Sequence, residues 1–203
     1  MKIRSLLFGI LALTLPLAAA DKPQKPLPKG KWVKMFDGKT LKNWKANQNP
    51  EAWTVAKDGK DTVIKGSGQV SHLFWMREEC EDCEFKADVK IGDGANSGMY
   101  FRTAFGPGFP KGYEAQVNAT HGDPVKTGSL YNFAKNLKSP TPPNVWFTQH
   151  IIVQGTHVII KVNDQVITDY DETKHTFTKG YLALQQHDPK SVVEYKNLMY
   201  KKL

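Results

Sequence analysis

Three stretches of this 203-residue chain set acids, amides, an arginine and a histidine at every second position, the spacing that gathers side chains on one face of a β-strand. Over 113–118, Glu114, Gln116 and Asn118 oppose Tyr113, Ala115 and Val117. Over 97–103, Tyr100 and Arg102 oppose Met99 and Phe101; over 181–187, Tyr181, Ala183, Gln185 and His187 oppose Leu182 and Leu184. Each stretch thus has an apolar side for a core and a side that carries hydrogen-bonding or proton-exchanging groups. If the three polar sides share one sheet, they make a concave surface suited to a sugar, where amides and a guanidinium bind hydroxyls and an aromatic ring lies against a C–H face. A carboxylate and an imidazole add general acid–base capacity, since a histidine ordinarily titrates near neutrality. The plainer alternative is a wet sheet face of the kind antiparallel sheets commonly have, with His187 a surface residue at a strand end.

The remaining reactive residues read as structural. Cys80 and Cys83 stand in the run Glu79-Cys80-Glu81-Asp82-Cys83-Glu84. A zinc site would need two more ligands, and the chain has neither a second C-x-x-C nor a nearby H-x-x-x-H. Acidic neighbours oppose thiolate formation, so a short structural disulfide is expected rather than a redox pair. The E-x-D-x-x-E spacing that aims alternate carboxylates into the cleft of jelly-roll glucanases is absent; 78–84 and 169–172 are acidic clusters in turn-like sequence. Trp32, Trp44, Trp53 and Trp146 are expected in packing, while Trp75, beside His72 and Phe74, is left open. His150 and His157 lie within strand pairs and His175 in a polar loop, all three structural or solvated.

Positioning these groups falls to short β-type segments broken by Gly, Pro, Asn and Asp. The expected strands are 32–36, 52–56, 62–65, 70–75, 84–91, 97–103, 113–118, 146–154, 157–162, 165–168, 181–187 and 192–201, with one short helix near 39–44. That inventory predicts an all-β, two-sheet antiparallel jelly-roll sandwich. Val162-Asn163-Asp164-Gln165 joins two alternating runs and reads as a hairpin turn. The irregular stretches 106–112 and 139–144 are too long or too rigid for simple turns and are expected to shape a rim around a site.

With 40% hydrophobic and 24% charged residues, the chain can bury one core and is neither disordered nor fibrous. Lys2 and Arg4 precede an apolar run that ends in Ala18-Ala19-Ala20, the pattern of a cleavable secretory signal with a cut after Ala20. No Cys stands at the cut to carry a lipid, and no later run reaches the roughly 18 apolar residues of a membrane span. Residues 21–30, with three prolines, are expected to form an extended leader ahead of a single domain over 31–203, and the mature chain to be secreted or periplasmic. The net charge of +8 falls to +6 once Lys2 and Arg4 leave. The lysines are dispersed and accompany no nucleic-acid module, so nucleic acid is not an expected partner. Nothing in the sequence sets the oligomeric state.

A set of blocks in fixed order adds a resemblance. W-V-K-M-F-D-G-K-T-L-K-N-W at 32–44, N-S-G-M-Y-F-R at 96–102, G-Y-E-A-Q-V at 112–117, G-S-L-Y at 128–131, W-F-T-Q-H-I-I-V at 146–153, V-N-D at 162–164 and G-Y-L-A-L-Q-Q-H at 180–187 resemble the 3-keto-disaccharide hydrolase domain family over nearly the whole mature chain. The resemblance implies a concanavalin-A-like jelly roll in an exported bacterial protein. It also implies cleavage of glycosidic bonds in sugars oxidised at carbon 3. It places the family's Arg on Arg102, its Y-E-x-Q pair on Glu114 and Gln116, its Tyr on Tyr131 and its Q-x-H pair on Gln185 and His187. Many relatives carry Asp soon after the Y-E-x-Q block. Here Asn118 stands there instead, followed by Thr120-His121-Gly122-Asp123, so Asp123 or His121 is the replacement.

On this reading Glu114 and His187 are base and acid in an order the sequence does not give, and Arg102 with Gln116 or Gln185 is the enolate and hydroxyl clamp. Gln116, Asn118, Tyr131, Gln185 and His121 bind substrate. A divalent cation across the ketone would draw on His121, Asp123, Glu114 and His187. A non-catalytic lectin on the same fold is the competing expectation.

Overall fold

The structure is a computed structural model that describes residues 25–203; the expected signal and residues 21–24 of the leader lie outside the described residues. Thirteen strands form two antiparallel sheets packed face to face. They are β1 Trp32–Lys34, β2 Trp44–Ala46, β3 Trp53–Asp58, β4 Asp61–Ser67, β5 Ser71–Cys80, β6 Cys83–Ile91, β7 Ser97–Thr103, β8 Tyr113–Val117, β9 Phe147–Gln154, β10 His157–Val162, β11 Gln165–Asp171, β12 Gly180–Gln186 and β13 Val192–Lys202. The larger sheet runs β11-β10-β9-β6-β13-β4-β3, with β1 also on β13; the smaller runs β2-β5-β12-β7-β8. No helix among the described residues is long and apolar enough to cross a membrane.

Alternation explains the core. Leu73, Trp75, Met99, Phe101, Leu182 and Leu184 point inward from the smaller sheet and meet Phe85, Val89, Ile91, Ile151, Val153, Ile160, Tyr195 and Tyr200 of the larger one, all fully buried or nearly so. Each such side chain contributes about 1.5–3 kcal/mol of transfer free energy. Trp44, Trp53 and Trp75 are core residues. Trp32 and Trp146 serve as platforms for lysines, Lys86 and Lys201 over the first and Lys90 and Lys196 over the second. His150 pairs with Glu84, and His157 lies between Asp169 and Asp171.

The β10–β11 turn puts Asn163 and Asp164 at φ 48° and 65°, the left-handed pair that a two-residue hairpin demands. The helix expected near 39–44 does not form. Asp37 accepts hydrogen bonds from the backbone of Lys39 and Thr40 and from the Thr40 hydroxyl. Asn43 then turns left-handed at φ 67°, and Trp44 opens β2 with its indole N–H on Met35 O. A side chain competing for local backbone donors here replaces helix by turn.

Cys80 and Cys83 are joined across the β5–β6 turn. The described part of the leader is extended and docked: Gly30 N donates to Lys202 O, and Leu27 packs against the core.

Candidate active site

β12, β7 and β8 are neighbours in the smaller sheet, so the three polar faces do share one surface. Register sets Tyr100 opposite Glu114, Gly98 opposite Gln116 and Ala183 opposite Tyr100. Loop 104–112 runs from the end of β7 back across this face. Its course is fixed by Asn47, whose amide donates to Gly106 O and Gly108 O at 2.8 Å, and by Gln48, which accepts from Gly108 N. Phe105 lies edge-on over Phe74, and Phe109 edge-on to His72 and His187. The far wall is segment 172–177, gathered on Glu172, which accepts from the Tyr113 hydroxyl and from the backbone of Lys174 and Thr176.

Between these walls lies a cavity of about 470 Å³, within the usual range for small-molecule sites. Glu114, Gln116, Asp123, Tyr131, Gln185 and His187 line it, as do Asn96, Tyr100, Lys111 and the rings of Phe109, Phe133 and Phe177. The amide oxygens of Asn96, Gln116 and Gln185 have no protein partner although their residues are almost wholly buried.

Glu114 holds the floor. Its Oε2 accepts from the Tyr100 hydroxyl at 2.8 Å. Burial pushes its carboxyl up to about 8; the Tyr100 hydrogen bond opposes the shift, and the charge of Asp123 adds to it. His187 Nδ1 bonds Asp188 Oδ2 at 2.8 Å, leaving Nε2 as the ring nitrogen without that bond. Burial works to raise the Asp188 pKa, but hydrogen bonds from His187, Ser191 and Lys190 outweigh it and keep Asp188 ionised below the ordinary carboxylate range. Tyr131 donates to Asp123 Oδ2 at 3.1 Å, and Asp123 Oδ1 accepts from Val125 N.

Three expected site residues, Arg102, Asn118 and His121, are not among those that line the cavity. Arg102 does not reach the cavity. Three steps along β7 match two along β12 between the Thr103–Tyr181 and Tyr100–Ala183 pairs, and this bulge, with Arg102 at φ 48°, breaks the alternation on which its placement rested. The guanidinium, 2% exposed, donates to Glu81 O, Gly155 O, Phe177 O and Asp82 Oδ1 at 2.7–3.3 Å. It staples the disulfide turn, the β9–β10 turn and the cavity wall.

Asn118 is turned into its own loop, donating to Asp123 O and Val125 O and accepting from His121 N. Lys126 completes this loop, its ammonium donating to His121 O at 2.6 Å and Asp123 O at 2.8 Å.

The cation expectation changes its ligands. Glu114 and Asp123 do not converge with the histidines; the group with ligand atoms within 4.8 Å of one another is His121, His187 and Asp188. His187 fits a cation, with Nδ1 on a carboxylate and Nε2 left without that bond. His121 fits less well: its Nδ1 accepts Asp123 N–H, which puts the ring proton on the Nε2 that would have to ligate.

Sequence reasoning passed over Asn96, Lys111, Phe133, Phe177 and His72. Lys111 and Phe109 belong to the expected rim 106–112, whereas 139–144 does not line the cavity. His72 sits behind Gln185, fully buried, with burial first and the nearby His187 second lowering it to about 3, so it stays neutral.

Comparison with known proteins gives a family and a fold. Residues 31–201 match the 3-keto-alpha-glucoside-1,2-lyase-like domain model. No curated protein matches the chain. A candidate glycosyl hydrolase from Parabacteroides distasonis superposes with a TM-score of 0.70 at 25% identity, over 86% of this chain and 100% of that one. A second from the same organism gives 0.71 at 24%, over 85% and 94%. The carbohydrate binding module CBM66 from Bacillus subtilis gives 0.59 at 18%, over 79% and 96%, and shares the sandwich fold.

Proposed function

The chain belongs to the 3-keto-alpha-glucoside-1,2-lyase-like domain family and is carbohydrate-active; on that premise we propose that it cleaves 3-keto-glycosides by elimination across carbons 1 and 2. A ketone at carbon 3 acidifies the carbon 2 proton. A base removes that proton, the electron pair forms the carbon 1–carbon 2 double bond, and the carbon 1–oxygen bond breaks toward a leaving oxygen that takes up a proton. Water then adds back to the enone for net hydrolysis. The observation that carries the reading is a carboxyl held near 8 on the floor of a sugar-sized cavity that also holds His187. Groups that titrate near the working pH exchange protons most effectively in either direction.

Glu114 and His187 divide the two proton transfers, and Asp188 holds the His187 ring through Nδ1. Lys111 takes the electrostatic part that Arg102 is not placed to play: it is the lysine lining the cavity, and no ion pair engages it among the described residues. The polar lining of Asn96, Lys111, Gln116, Asp123 and Gln185 favours a hydroxyl-rich ligand. The rings of Phe109, Phe133 and Phe177 supply apolar faces for C–H groups. A divalent cation, when bound by His187 with Asp188 behind it, would polarise the ketone and would take His187 out of the proton transfers; the residues above bind, orient and move protons without it.

The test measures product release from a 3-keto-glucoside and from its unoxidised parent, with and without chelator. Cleavage of the keto sugar alone, lost in Glu114→Gln and His187→Ala, is the expected result. Cleavage of the parent would point instead to Glu114 and Asp123 as a conventional carboxylate pair. Saturable binding with no turnover of either sugar would support the lectin reading, which the ring-lined cavity and exposed Phe109 (57%) also favour.

A further inference from the structure

The order of hydrogen bonds around Glu114 decides which of its two oxygens is available to a substrate. Tyr100 Oη lies 2.8 Å from Glu114 Oε2 and 3.0 Å from Gln185 Nε2. An amide nitrogen donates and does not accept, so Gln185 fills the acceptor side of the hydroxyl. The single Tyr100 proton is left for Glu114 Oε2. Gln185 is held in turn by His72 Nε2 at 3.4 Å, a ring kept neutral by burial and therefore able to accept.

Oε2 thus accepts a hydrogen bond whether or not Glu114 is protonated, and the exchangeable proton belongs on Oε1. That oxygen takes no hydrogen bond from the described residues, and it is not among the unpartnered atoms sealed from solvent. It lies over Gly98, where a Cβ would stand 2.1 Å from Oε1 and 2.8 Å from Cδ and Cγ. Only a residue without a Cβ leaves the carboxyl this seat.

We propose that Tyr100, oriented by Gln185, is a positioning residue that reserves Glu114 Oε2, so that Oε1, seated over Gly98, is the oxygen that takes and gives the proton. The inference rests on the proposed role of Glu114 as a proton-transfer group. The other titratable groups that bear on Glu114 are Asp123 and Tyr131 from the flanking loops and Tyr195 from β13. His187 and Lys111 line the same cavity.

The experiment titrates the chain labelled with carbon-13 at glutamate carboxyls, by NMR and without substrate. Wild type, Tyr100→Phe and Gln185→Leu are compared, with Glu114→Gln assigning the signal. Loss of the Tyr100 donor removes a bond that favours the ionised form, so Tyr100→Phe should move the Glu114 midpoint up by about one unit. Gln185→Leu keeps the hydroxyl but frees its acceptor side for a Glu114 proton, and should move the midpoint up by less. It also serves if Tyr100→Phe fails to fold. An unchanged or lowered midpoint in both variants overturns the proposal.

With a 3-keto-glucoside, the pH–rate profile should shift in parallel with the midpoints. If wild type shows no turnover while the midpoints move as expected, the elimination reading falls and the hydrogen-bond order stands, so the two failures are distinguishable.

Discussion

Glu114 and Gly98, on neighbouring strands, interlock so that the carboxyl of one occupies the space a methyl group on the other would need. Gly98→Ala should therefore displace Glu114 from the cavity floor and lower kcat/KM by about a hundredfold or more, since misplacing a reacting group by an ångström has that order of effect. Glu114 sits in a partly open cavity, so the fold should tolerate the change with a loss of about 1–3 kcal/mol. Steady-state kinetics beside thermal unfolding separates the two effects.

The raised Glu114 carboxyl also writes a signature into stability. Its folded pKa of about 8 lies above the ordinary 4.5, so between these values the folded state binds the proton more tightly than the unfolded state. Stability from this group is complete below about 4.5 and is lost as pH rises through 8. Glu114→Gln removes the dependence. It should match wild type near pH 4 and exceed it by a few kcal/mol at pH 9 in urea unfolding.

Arg102 predicts the opposite pairing of effects. Arg102→Met removes a buried guanidinium that donates to four acceptors in three segments and should cost roughly 2–4 kcal/mol. Because the guanidinium does not line the cavity, KM for a substrate or Kd for a sugar should stay within about threefold at temperatures where the variant is folded. A denaturant midpoint and a binding isotherm check this.

Lys126→Met should loosen loop 118–126 without removing any cavity residue. Asp123 and its bond to Tyr131 depend on that loop, so KM should rise roughly tenfold with a smaller change in kcat. Amide exchange at 119–125 should quicken, while that of β7 and β12 stays slow.

What could be read from the sequence was what alternation governs. Glu114, Gln116, Gln185 and Tyr100 lie where period two puts them because β8, the later part of β12 and the first part of β7 are regular. Arg102 fails at the point where β7 takes an extra residue, and nothing in Met99-Tyr100-Phe101-Arg102 marks a bulge. Asn118 fails because it lies one residue past β8, where its side chain serves the following turn. Phe133 and Phe177 come from loops whose course depends on tertiary hydrogen bonds such as those of Glu172. Asn96 and Lys111 were within reach, since one heads the N-S-G-M-Y-F-R block and the other closes the rim.

The order of strands has a consequence for how the chain reaches this state. β13, the last of these strands in chain order, lies inside the larger sheet and pairs with β6, β4 and β1. Neither half of that sheet can be joined until Val192–Lys202 is in place, and each of these pairings closes a long loop of chain at an entropic cost. Folding therefore waits on contacts between segments distant in sequence and is slow for the size of the domain. Until then the apolar strands of an incomplete sheet remain open to whatever holds an unfolded chain.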